Sequence, residues 1–264
     1  MFPAAGPELG YAVLTVEGPG QGLMLHDRDL PMRGDWEAVS DAVLDFLTHF
    51  TRERAELELD MDHIAVAGAS LGAYFALRAA ADVRYKACVA IDPLYDLYDF
   101  ATSHVAPIFF RLWDNGSIPD WFVNTAVSIG VRLSFQMKWE IHTSARFLGA
   151  SSAVGLLRNM KLFTLHRRTE SQKHTSTTDS TGSGGSYLSR VTCPVFVTGA
   201  ADSLYFDVGE HTTRVFDDLS QSPDKEMWVG TTPGVGSLQA KMGSLSLCNQ
   251  RTFEFLDRRL GVER

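Results

Sequence analysis

Hydrophobic positions along the chain recur with two different periods. Short continuous apolar runs occur at residues 11–16 (Tyr-Ala-Val-Leu-Thr-Val), 64–67 (Ile-Ala-Val-Ala), 87–91 (Ala-Cys-Val-Ala-Ile), 191–198 and 226–229. Runs this short, without polar alternation, suit strands buried on both faces of a parallel sheet. Between them lie segments with apolar residues at helical spacing. The clearest covers residues 35–50, where Trp36, Val39, Val43, Leu44, Phe46 and Leu47 share a stripe and Asp35 stands at the N-cap. Residues 1–10 read as the end of a helix entering a loop, and a terminal helix is expected from about 244 to 260. The alternation of strand and helix specifies an α/β fold with a mostly parallel sheet and right-handed crossovers.

That alternation stops between residues 94 and 166. The segment is helical in pattern and rich in aromatic residues, from Tyr95 and Tyr98 through Trp113 and Trp121 to Phe147. It is too long for a plain connection, and is read as a helical lid over the carboxyl edge of the sheet. Most of its aromatics are expected to pack inside the lid, and its greasy character suggests a bulky apolar substrate. Residues 167–187 are dominated by Ser, Thr and Gly and are expected to form a flexible loop. The expected division is therefore 1–93 and 188–264 as the two parts of one core, with the lid 94–166 and the loop 167–187 between them.

Composition narrows the class. With 264 residues, 45% of them hydrophobic, the chain can bury a full core, and its net charge of −8 argues against nucleic acid and anionic membranes. Cys88, Cys193 and Cys248 are too scattered for a disulfide framework or a metal cluster, and the first two are expected as buried thiols in a reducing compartment. There is no apolar span of 18 residues, no leader pattern and no C-terminal address. The expectation is a soluble cytoplasmic protein, compatible with a homodimer, acting on a small apolar molecule with no cofactor, metal, nucleic acid or membrane.

The candidate chemistry centres on Gly68-Ala69-Ser70-Leu71-Gly72, which follows the apolar run 64–67 and precedes the helical pattern of Ala73, Ala76 and Leu77. Strand, sharp turn and helix in that order make a nucleophile elbow. Its serine backbone is strained, and its two glycines let strand and helix pass closely. The helix would aim its N-terminal amides at a developing oxyanion beside the Ser70 hydroxyl. Asp202 follows a later strand, which gives the Ser…Asp order of a hydrolase triad. The turn Glu17-Gly18-Pro19-Gly20-Gln21-Gly22 fits no phosphate-binding spacing and is expected as a loop at the carboxyl edge. Arg33 is expected to pair with Asp35 rather than to orient substrate, and His142 to be a satisfied structural histidine.

Residues 10–22, the run Pro31-Met32-Arg33-Gly34-Asp35-Trp36-Glu37-Ala38-Val39 and the elbow together resemble a group of fungal α/β hydrolases. These serve secondary-metabolite clusters of the fusarin, cytochalasan and host-selective-toxin type, and are related to heptaketide-shortening hydrolases. The resemblance implies an α/β-hydrolase fold with a helical cap, Ser70 as nucleophile, Asp202 as acid and the Leu71 amide as one oxyanion donor. Its substrates would be polyketide or polyketide–peptide intermediates, cleaved at an ester or acyl C–C bond. Two departures accompany it. The loop around residues 233–243 holds no histidine, and the last histidine, His211, is expected at the surface; His26 is then the substitute base to consider. An earlier cap segment and strand implied by the resemblance are also missing, which would leave a gap between residues 11–16 and the Ser70 strand. A serine hydrolase is therefore expected. The alternative is a non-hydrolytic descendant that binds an intermediate or promotes its condensation or cyclisation.

Overall fold

The structure is a computed structural model that describes residues 2–103, 106–167, 185–204 and 207–263. Its sheet has four parallel strands in sequence order: β1 Ile64–Ala69, β2 Tyr85–Ile91, β3 Val195–Ala200 and β4 Lys225–Gly230. The continuous apolar runs are explained by burial on two sides. Cys88 and Ala90 of β2 face a core shared with α4 (Leu71–Ala79), while Ala87, Val89 and Ile91 face Cys248, Phe253 and Leu256 of α11 (Leu245–Leu260). Phe196 of β3 stacks on Phe255, with ring centroids 5.5 Å apart. Burying this apolar surface, at about 25 cal/mol per Å2, is the main favourable term holding the layers together.

The run at residues 11–16 departs from expectation and forms no strand. Val13, Leu14 and Val16 are 42%, 51% and 45% exposed. The reason lies at the sheet edge. Among the described residues β1 pairs with β2 only, so no strand lies against its other edge. An apolar run becomes a strand only where a neighbour takes its backbone N–H and C=O groups. Tyr11 anchors the start of the run: its hydroxyl donates to Asp257 Oδ1 at 2.7 Å and its ring lies 5.3 Å from Phe253.

Ahead of the sheet come α1 (Phe2–Ala5), α2 (Gly22–His26) and α3 (Glu37–Glu53). The expected helix over 35–50 is thus α3, but Trp36 and not Asp35 holds the N-cap, and no side chain caps it. The Asp35 carboxylate is turned instead to Arg33, which donates to both its oxygens at 2.7 Å.

Among the described residues, 97–160 hold five helices and no strand: α5 Leu97–Ser103, α6 Pro107–Asp114, α7 Asp120–Leu133, α8 Phe135–Phe147 and α9 Ala153–Met160. Tyr95, Tyr98 and Trp113 are buried as expected, but Trp121, Phe122, Phe135 and Trp139 are exposed, against the expectation of internal packing. The chain returns to the sheet through the antiparallel bridge between Asp96 and Thr164. Most of the expected flexible loop, residues 168–184, lies outside the described residues. Between β3 and β4 lies α10 (Arg214–Asp218), preceded by a π-helical turn at Val208–Thr213. No helix among the described residues is long and apolar enough to cross a membrane.

Candidate active site

Ser70 stands between the last residue of β1 and the first of α4, with φ 57 and ψ −122. Positive φ is costly for a residue with a Cβ, and the surroundings hold it there. The Ser70 amide donates to the Ile91 carbonyl at 2.8 Å, while its own carbonyl accepts from the Ala73 and Tyr74 amides. A Cβ on Gly68 would collide with the Gly72 carbonyl, so the close pass of strand and helix requires glycine at 68. At Gly72 a Cβ would meet nothing within 4 Å; that glycine is not needed for clearance.

Asp202 follows β3, two strands from Ser70, and its amide donates to the Ser237 carbonyl at 2.9 Å. At about 4.8 Å between strands, the two strand ends are roughly 10 Å apart, enough for one bridging ring. Asp202 itself is exposed.

The described histidines are occupied elsewhere or distant in the chain from the strand ends. His211, expected at the surface, is 5% exposed, and its Nδ1 accepts from the Tyr95 amide at 3.2 Å. Its burial follows from the π-helical turn, which rotates it inward behind β3. His26 is exposed, with Nδ1 2.9 Å from Arg146 of α8. His142 is likewise exposed on α8 and so is not a core histidine. His166 lies 3.1 Å from an Arg214 nitrogen, and burial lowers its pKa. His104 and His174 lie outside the described residues.

What the loop after β4 sends into the sheet edge is Lys241. Its side chain is fully buried, and Nζ donates to Asp92 Oδ1 at 2.7 Å and to the Gly199 carbonyl at 2.6 Å. Asp92, directly after β2, also accepts from Thr198 Oγ1 on Oδ1 at 2.7 Å, while its buried Oδ2 has no partner. Sequence reasoning passed over both residues. Asp92 was legible only as the end of a strand, and a lysine in a glycine-rich loop is normally solvated.

The Arg33–Glu37 block serves packing. Gly34 presses on the Leu162 carbonyl and accepts the Tyr74 hydroxyl at 2.6 Å, while Trp36 stacks on Phe75 with centroids 3.9 Å apart. A donor set of Asp96, Asp99 and His166, with ligand atoms within 4.8 Å of one another, is the metal-like cluster among the described residues. Its chemistry is that of a helix start: Asp96 Oδ1 accepts the Tyr98 and Asp99 amides, and His166 Nε2 lies 3.1 Å from an Arg214 nitrogen. An open depression of about 270 Å3 lined by Asn124, Thr125, Ser128, Ile129 and Arg132 lies on α7, with no wall from the elbow.

A parallel sheet with a serine elbow after β1 and an acid after β3 defines an α/β-hydrolase core. The chain belongs to the alpha/beta hydrolase family, whose profile matches residues 1–229. It is 52% identical over 272 residues to Hydrolase pyiE of Pyricularia grisea, and 50% identical over 264 residues to Hydrolyase ccsE of Aspergillus clavatus. Those alignments cover 100% and 99% of this chain but only 59% and 58% of the relatives, so it spans less than two thirds of their length. Among solved structures, 2,6-dihydroxy-pseudo-oxynicotine hydrolase superposes with a TM-score of 0.51 at 18% identity, covering 92% of this chain and 51% of that one. That likeness concerns the fold.

Proposed function

We propose that this chain carries the nucleophile of a serine-type hydrolase that cleaves an ester or acyl C–C bond of a polyketide-derived intermediate in fungal secondary metabolism. The observation that carries the reading is the positive-φ Ser70 at the start of α4, hung from the Ile91 carbonyl. Ser70 Oγ attacks the acyl carbon. The first amides of α4 lack partners within the helix, and the Leu71 amide receives the developing oxyanion. Asp202 is the acid of the site. Residues 94–166 act as a lid whose apolar side chains hold the substrate, and the molecule is cytoplasmic, with Cys88, Cys193 and Cys248 as buried thiols. The relatives named hydrolase and hydrolyase support the reaction class.

A second reading has its own observation. No histidine stands in the loop after β4, and without a base a serine hydroxyl is a poor nucleophile, typically by about 10⁴-fold or more. On that reading the protein binds an intermediate or promotes its condensation or cyclisation. Turnover of a p-nitrophenyl ester, with Ser70→Ala as control and folding checked by circular dichroism, separates the two. Activity lost in the variant supports the hydrolase. Equal, negligible rates in two folded proteins overturn it.

A further inference from the structure

The turn that delivers Lys241 is strained. Ala240 and Lys241 are consecutive non-glycine residues with φ 53 and 57, a backbone that persists only where its surroundings over-determine it. The contacts that hold it converge on one place. Gln239 receives Ser203 Oγ on Oε1 at 2.9 Å and donates from Nε2 to the Asp92 carbonyl at 3.3 Å. The Lys241 ammonium spans Asp92 and the end of β3, 5.0 Å from the Trp228 ring centre. Asp92 itself has φ 48, and its amide donates to both Thr198 oxygens at 3.1 Å. Its neighbour Ile91 supplies the carbonyl from which the Ser70 amide hangs.

We propose that Lys241 and Asp92 are a positioning pair for Ser70: the buried ammonium holds the Asp92 carboxylate in place, and the fixed carboxylate sets the end of β2 on which the Ser70 turn depends. The inference rests on Ser70 being the nucleophile. The unpartnered Asp92 Oδ2 supports it, because a buried carboxylate with one bare oxygen relies on Lys241 as its one cation. Burial lowers the lysine's pKa while Asp92 pulls it back up, so the pair stands or falls together. The other ionisable group facing it is Cys248 of α11, whose thiol burial pushes up and keeps neutral.

The test is the rate at which a fluorophosphonate labels Ser70 at pH 7.5, in this chain and in Lys241→Met and Lys241→Arg, with folding checked by circular dichroism. Lys241→Met leaves the buried Asp92 carboxylate without its cation and is expected to slow labelling by about 10-fold or more in a folded protein, because the end of β2 shifts under the Ser70 turn. Lys241→Arg keeps the cation and restores most of the rate. Labelling by Lys241→Met at the rate of the unaltered chain, or a loss that Lys241→Arg does not recover, overturns the pair's role and leaves the Ser70 reading standing. No label on the unaltered chain overturns both. Where Lys241→Met fails to fold, the Asp92→Asn/Lys241→Met double variant, which removes both charges, replaces it and must label about as slowly.

Discussion

Arg78 of α4 donates to both carboxylate oxygens of Glu37, at 2.6 and 2.7 Å, and its guanidinium lies 4.0 Å from the Tyr187 ring centre. The same side chain donates to the Thr164 carbonyl at 3.1 Å. One cation thus joins α3, the serine helix and the chain on its way back to the sheet, at Thr164 and Tyr187. Its own side chain is 11% exposed and that of Glu37 32%. Arg78→Met leaves Glu37 unpaired and half-buried, and is expected to cost about 2–3 kcal/mol, below the full range for a buried pair because water reaches the glutamate. Urea unfolding followed by circular dichroism measures it.

Gly68→Ala tests the elbow. The new methyl would meet the Gly72 carbonyl, so the strand and helix must separate and carry Ser70 out of line. Misplacement on the scale of 1 Å typically costs about 10²-fold. Labelling of Ser70 is therefore expected to slow by about that factor in a protein whose circular dichroism is unchanged. Gly72→Ala, with open space at its Cβ, should slow it far less.

Trp36 stacks on Phe75 at 3.9 Å, and Gly18 lies against its ring edge. It thereby fastens the glycine-rich turn to the serine helix. Trp36→Ala is expected to destabilise by about 3 kcal/mol, at the low end for tryptophan because the ring is only partly buried. Limited proteolysis should then cut first near residues 17–22.

Asp99 gives a pH prediction. Partial desolvation at the start of α5, reinforced by the neighbouring Asp96 charge, pushes its carboxyl up to about 6, although the residue keeps an exposed side. A carboxyl raised above its unfolded value binds a proton more readily in the folded state. It thus leaves stability intact below about pH 4 and takes it away as pH rises towards 6. Asp99→Asn removes that loss. It should match the unaltered chain at pH 4 and exceed it at pH 7.5, by about 1 kcal/mol or less once solvent screening is allowed for. Melting temperatures at the two pH values read the difference.

Residues 11–16 predict solubility rather than stability. Val13→Thr and Leu14→Ser replace side chains that are 42% and 51% exposed, so unfolding free energy should change by about 0.5 kcal/mol or less while light scattering falls. A large loss of stability would mean that the segment is paired.

The four sheet strands were legible in the pattern, because a run such as Ala87-Cys88-Val89-Ala90-Ile91 has no polar face and can be satisfied only between two apolar layers. The elbow was readable as well, since Gly68 ahead of Ser70 at a strand-to-helix junction lets the two elements pass closely, and Ser70 takes the strained turn at φ 57. Other features depend on contacts between distant parts of the chain. Whether residues 11–16 pair depends on a neighbouring edge, and hydropathy carries no record of a neighbour. Whether His211 is buried depends on a π-helical turn that local pattern does not mark. Lys241 reads as a surface lysine until β2, β3 and the last loop converge on one point, because a buried charge becomes tolerable only when a distant carboxylate arrives to meet it.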